Sequence, residues 1–206
     1  PSAEEAAMLP EGCMVVGALD PHANKDNLSH YNDKNITSFS LEMLPRISRA
    51  QAMDVLSSQS NLAGYRAVIE ASAQSQKVLP MMMTAAGTVP AARALILGAG
   101  VAGLQAIATA KRLGAIVSAF DVRTAAKEQV ESLGGKFIEV PAEESGDDGG
   151  GYAKEMSEDY KRKQSELIAE TLKKQDMVIS TALIPGRPAP VLITEDMVKD
   201  MKTGSV

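Results

Sequence analysis

Arg93-Ala-Leu-Ile-Leu-Gly98-Ala-Gly100-Val-Ala-Gly103-Leu-Gln-Ala-Ile-Ala-Thr-Ala-Lys-Arg-Leu-Gly-Ala115 is the stretch from which the fold follows. An apolar run ends at Gly98, Gly100 and Gly103, a helical pattern follows, and a second apolar run ends in an acid, Asp121. Gly98 permits the tight turn out of a strand. Gly100 lets the backbone approach a pyrophosphate, and Gly103 lets the helix pack closely on the sheet. The helix would then begin at Val101 and Ala102, whose amides point at phosphates. Asp121, with Val122 and Arg123 after it, stands in the window of about 20 residues where a carboxylate accepts ribose hydroxyls. A lone GxGxxG is weak evidence, but this one has its strand, its helix and its acid. The segment reads as a dinucleotide site.

Downstream, the alternation is regular. Strands are expected at 94–97, 116–120, 136–140 and 177–181, with helices at 101–113, 124–133, 157–173 and 194–201 and a further strand starting at 204. Strands separated by helices imply βαβ units, a parallel sheet and right-handed crossovers. The expected wiring is 3-2-1-4-5, with the ligand where the order reverses.

Upstream, apolar spacing predicts a long helix over residues 52–76, interrupted at Gly64 and ended by Leu79-Pro80. Pro80-Met-Met-Met-Thr-Ala-Ala-Gly-Thr-Val-Pro90 reads as an apolar linker bounded by prolines. Residues 1–45 carry two strand-like runs, Cys13–Leu19 and Ile36–Leu44, around a polar stretch. The expected class is therefore α/β: a Rossmann-type doubly wound parallel sheet plus part of a second α/β lobe, joined by a long helix. The divisions are 1–50 for that lobe, 51–80 for the connector and 81–206 for the dinucleotide domain. The chain opens at Pro1 inside a capping box of Ser2 and Glu5 and stops where a strand begins, so it reads as a piece of a longer polypeptide.

Composition excludes several functions. A net charge of −5 gives no basic surface for nucleic acid, and 3% aromatic residues give no base-stacking platform. No apolar run approaches the roughly 18–20 residues of a membrane span. The single cysteine, Cys13, suits a reducing compartment and reads as a small apolar strand residue. His22 and His30 lack the spacing and companions of a metal pair, so no metal is expected. The acidic, glycine-rich insert from Pro141 to Asp159 has two readings, a disordered decoration or a hinged loop closing over ligand with Tyr152 as its contact.

Asp121 favours NAD(H) over NADP(H), because a carboxylate accepts from a free 2′-hydroxyl and repels a 2′-phosphate. Arg123 weakens that preference, since a guanidinium receives phosphate. No general base for oxidising a hydroxyl or amine substrate stands out.

The block Leu44-Pro-Arg46-Ile-Ser-Arg-Ala-Gln51-Ala-Met-Asp54-Val-Leu-Ser57-Ser-Gln-Ser-Asn-Leu-Ala-Gly-Tyr-Arg66 closely resembles the NAD(H)-binding domain of proton-translocating nicotinamide nucleotide transhydrogenases, domain I on the alpha subunit. Residues 80–90, 103–115, 127–137, 150–156 and 181–194 carry the same resemblance, which is strong over roughly 40–206. It implies that Arg46 contacts the nicotinamide end of NAD(H), paired with Asp54. Gln51 would reach the nucleotide on an NADP(H)-binding domain, Ser57 would hydrogen-bond the carboxamide, and Tyr152 would belong to a mobile loop. Hydride transfer between two nicotinamides needs orientation and no general base, which suits a guanidinium fixed by a carboxylate. The acidic stretch before Tyr152 departs from the family pattern.

The resemblance further implies a homodimer, with NADP(H) held by a partner domain and proton translocation by a membrane domain. It places the chain on the cytoplasmic side of a bacterial inner membrane or the matrix side of the mitochondrial one, without direct membrane insertion. The competing readings are an alanine dehydrogenase, which shares the two-lobed architecture, and a non-catalytic NAD-binding fragment.

Overall fold

Leu95, Ile96 and Leu97 are each at most 1% exposed, so the run before Gly98 forms a strand covered on both faces. The computed structural model describes residues 2–45, 47–141, 156–184 and 188–206. It divides into two units, Pro1–Gln59 and Ser60–Val206.

In chain order the elements are α1 (Ala3–Ala7), β1 (Met14–Gly17), α2 (Lys25–Asp33), β2 (Thr37–Ser40), α3 (Val55–Gln74), β3 (Met82–Thr84), β4 (Gly87–Val89), β5 (Arg93–Leu97), α4 (Val101–Arg112), β6 (Ile116–Phe120), α5 (Ala126–Ser132), β7 (Lys136–Ile138), α6 (Glu158–Leu172), β8 (Met177–Ser180) and α7 (Glu195–Lys199). Short 3-10 turns at Leu41–Met43 and Ser48–Met53 precede α3.

The larger unit holds a parallel sheet in the order β7-β6-β5-β8. This is the 3-2-1-4 portion of the expected wiring, and β5 sits where the order reverses. Alternate residues of β5 serve opposite faces. Ala94 and Ile96 pack with Val68 of α3, Ile107 of α4 and Val130 of α5. Leu95 and Leu97 pack with Tyr160, Ile168 and Leu172 of α6. Helices on both faces make the sheet doubly wound, and the fold is α/β. Val206 donates to Asp176 O at 3.1 Å and accepts from the Val178 amide at 2.8 Å, beside the start of β8, and residues 204–206 form no strand.

The smaller unit is one βαβ turn. β1 and β2 pair in parallel, with Val16 opposite Phe39, and α2 makes the crossover. Its core is Ala6, Leu19, Tyr31 and Ile36, with Cys13 packed against it. His30 lies on α2 and is half-buried, whereas His22, in the turn before that helix, is exposed.

Two further expectations change. Residues 80–90 are not a plain linker: β3 and β4 form an antiparallel hairpin with Met82 opposite Val89. Ala85 and Ala86 make its turn, and Gly87 at φ +135° takes the conformation that an L side chain resists. Gly64 does not interrupt α3, which runs through it from Val55 to Gln74. A Cβ at Gly64 would lie 2.0 Å from the Ala102 carbonyl oxygen, so this glycine lets α3 touch the start of α4.

Candidate functional site

Register assembles the site. Leu97 stands opposite Phe120 on one side and Ser180 on the other, so Gly98, Asp121 and Thr181 leave the sheet together at its carboxyl edge. The Gly98 amide donates to Phe120 O at 2.8 Å, and its φ of +96° is the left-handed turn out of β5. A Cβ on Gly103 would sit 1.8 Å from Gly98 O and 3.0 Å from the Thr181 hydroxyl, so α4 touches the turn directly. Around Gly100 the situation reverses, because an added Cβ would meet nothing within 4 Å. One glycine is required by close packing, and the other faces open space where a ligand can approach.

Gly100 is also the N-cap of α4, and no side chain caps this end. No acid occupies the first turn. The amide dipoles at Val101 and Ala102 are thus available to an anion without like-charge competition. Both residues are half-buried, as expected for a lining that ligand covers.

Asp121 is 7% exposed at its side chain and is held from two directions. Its Oδ2 accepts from the Ala99 amide at 2.7 Å, which ties the acid to the glycine turn. Its Oδ1 accepts from the Arg123 amide at 2.9 Å. The Arg123 guanidinium then lies side-on, with Nε 2.9 Å from Oδ1 and Nη2 3.0 Å from Oδ2. Val122 joins the apolar cluster on the α6 face. Gly98, Gly100, Val101, Ala102, Asp121 and Arg123 therefore stand together at the carboxyl edge, with Gly103 buried behind the turn and Val122 packed toward α6. The open face at Gly100, the bare helix end and the buried carboxylate fit the pyrophosphate and ribose of a dinucleotide.

Sequence reasoning missed Thr181. Its amide donates to Leu97 O at 2.8 Å, and its hydroxyl lies 3.0 Å from Gly98 O. It pins the glycine turn to β8. Its position as the last residue of an apolar run was the available signal.

In the smaller unit, Asp54 caps α3. Its Oδ1 accepts from the Ser57 amide at 2.9 Å, and its Oδ2 accepts from the Ser57 hydroxyl at 2.6 Å. An acid three residues before the amide it binds is the usual helix-start geometry. Gln51 is exposed on the preceding 3-10 turn. Arg46 and Tyr152 lie outside the described residues.

Residues 67–206 match the family described as alanine dehydrogenase/PNT, C-terminal domain. Residues 1–63 match alanine dehydrogenase/PNT, N-terminal domain. The chain belongs to the alanine dehydrogenase/PNT family. Within the family, the chain is 58% identical over 205 residues to an NAD(P) transhydrogenase subunit alpha polypeptide of Rhodospirillum rubrum, an alignment covering 98% of this chain and 53% of that one. Alanine dehydrogenase 2 of Staphylococcus aureus is 30% identical over 189 residues, covering 89% of this chain and 45% of that one. Among solved structures, the transhydrogenase from Sinorhizobium meliloti superposes with a TM-score of 0.85 at 56% identity, covering 100% of this chain and 55% of that one. The chain thus spans about half the length of the relatives it matches. No helix among the described residues is long and apolar enough to cross a membrane.

Proposed function

We propose that this chain is the NAD(H)-binding component of an NAD(P) transhydrogenase, passing hydride from NADH to NADP⁺ on a partner domain. The observation that carries the reading is the carboxyl edge of the sheet, with a buried carboxylate where ribose hydroxyls belong. The 58% identity to a transhydrogenase subunit, against 30% to an alanine dehydrogenase, supports the choice within the family.

The bound nucleotide supplies the hydride; the chain's residues supply position. The Val101 and Ala102 amides hold the pyrophosphate and Asp121 holds the adenosine ribose. On this reading Arg46 and Tyr152 orient the nicotinamide end, Gln51 reaches toward the second nucleotide, and Ser57 takes the carboxamide. Asp54 both starts α3 and holds Ser57, so it acts as a positioning residue. Two nicotinamides at a fixed separation need orientation alone, and orientation contributes up to about 7–11 kcal/mol to such a step.

The same reading assigns a homodimer, an NADP(H)-binding domain as partner and a proton-conducting membrane domain in the whole enzyme. It puts this chain at the cytoplasmic face of a bacterial inner membrane or the matrix face of the mitochondrial one.

The test is hydride exchange. The chain is mixed with an isolated NADP(H)-binding transhydrogenase domain, NADH and an oxidised NADP⁺ analogue, and absorbance of the reduced analogue is followed. Appearance of reduced analogue only when both proteins are present supports the reading. Binding of NADH without exchange identifies a non-catalytic module. Turnover of NADH with pyruvate and ammonium alone identifies an alanine dehydrogenase.

A further inference from the structure

A carboxylate offers about four acceptor positions. All four on Asp121 are taken: Oδ1 receives the Arg123 amide and Nε, and Oδ2 receives the Ala99 amide and Arg123 Nη2. Two of these donors are backbone and fixed by the strand ends. The other two belong to one side chain that is 19% exposed, and a side-on guanidinium presents two parallel N–H groups, as a ribose diol presents two O–H groups.

We infer that the Arg123 side chain is a displaceable stand-in for the ribose diol, occupying Asp121 until NAD(H) exchanges for it. The inference rests on the NAD(H) reading of this site and deepens it. The Ala99 and Arg123 amides keep the carboxylate aimed while the guanidinium leaves, so the acid needs no reorganisation on binding. The exchange has a cost, because the ligand-free protein is stabilised by a fork-shaped ion pair that the complex gives up. Arg123 therefore weakens NAD(H) binding although it stands in the site, and a protein that must release its nucleotide each turnover gains from that. A dinucleotide with a 2′-phosphate gains little from the removal of Arg123, because Asp121 still opposes the phosphate and no guanidinium is left to receive it.

The experiment titrates NADH and NADPH by fluorescence against the wild-type chain, R123A, R123K and D121N. Removing the guanidinium is expected to tighten NADH about fivefold to tenfold, the scale of one charge-assisted pair, without tightening NADPH to the same degree. R123K keeps the charge but loses the fork, and is expected to tighten NADH by a smaller factor. This variant carries the test if R123A does not fold. NADH binding that is unchanged or weaker in R123A and R123K overturns the inference. If D121N binds NADH as wild type does, the carboxylate is not the ribose acceptor, and the NAD(H) reading of the site fails with it. Weakened binding in D121N together with weakened binding in R123A leaves the NAD(H) reading standing and makes Arg123 an ordinary contact.

Discussion

Among single residues, Gly103 carries the tightest constraint of the site. A methyl group there meets the backbone of Gly98 at 1.8 Å, and backbone cannot swing aside as a flexible side chain does. Gly103→Ala gains helix propensity of up to about 1 kcal/mol. Overpacking against backbone costs about 1–3 kcal/mol or more, so the clash wins. The variant should unfold at lower urea and bind NADH at least tenfold more weakly, read by circular dichroism and fluorescence titration. A variant as stable and as tight as wild type would show that α4 can step back from the turn. Gly98, Gly100, Gly103 and Asp121 were legible in the sequence because their chemistry is local or at fixed spacing along one βαβ unit. The fork between Arg123 and Asp121 was not, since spacing places Arg123 near the acid but cannot say whether its side chain points at the acid or at a ligand. Thr181 was hidden for a stronger reason: 83 residues separate it from the carbonyl it supports.

Elements were read well where both periodicity and punctuation agreed. The βαβ alternation of β5 to β8 follows from apolar runs of strand length separated by amphipathic helices, and the parallel order followed with it. The hairpin β3–β4 escaped because methionines carry no alternation and its flanking prolines resemble a linker's. Its six strand residues are all exposed, so no buried face stamped a period-2 pattern on them. Gly64 was misread for a related reason: the same residue breaks a helix by propensity and permits close approach by size. Here size decides. Gly64→Ala should stabilise α3 as an isolated helix, yet push it off the Ala102 carbonyl, 2.0 Å from the new Cβ. A net loss of about 2 kcal/mol in thermal or urea unfolding is expected, with weakened NADH binding because Ala102 lines the site. Increased stability would mean that α3 and α4 are less firmly packed than their geometry indicates.

Across the larger unit as a whole, the edge opposite the nucleotide site is stapled by a single acid. Asp176, with a side chain 6% exposed, accepts from Lys77 at 2.8 Å, from the Arg93 amide at 2.8 Å and from Lys202 at 3.0 Å. It joins β5, β8, the segment after α3 and the C-terminal turn. Burial pushes its carboxyl up, but Lys77, the Arg93 amide and Lys202 outweigh burial and hold it at about 2, below the ordinary 3.8. The folded value lies below the unfolded one, so the staple's contribution is complete above about pH 4 and fades as pH falls toward 2. Wild type should lose stability across that window by chemical denaturation, and Asp176→Asn should be less stable at neutral pH but flatter with acid. Parallel acid profiles in the two proteins would contradict this.

The carboxyl edge is proposed to hold NAD(H) through Asp121, and everything functional in the chain depends on it. The decisive measurement is a parallel titration of NADH and NADPH against the same protein, followed by nucleotide fluorescence. NADH should bind at least tenfold more tightly, because Asp121 accepts a free 2′-hydroxyl and opposes a 2′-phosphate. Equal binding, or a preference for NADPH, would contradict it.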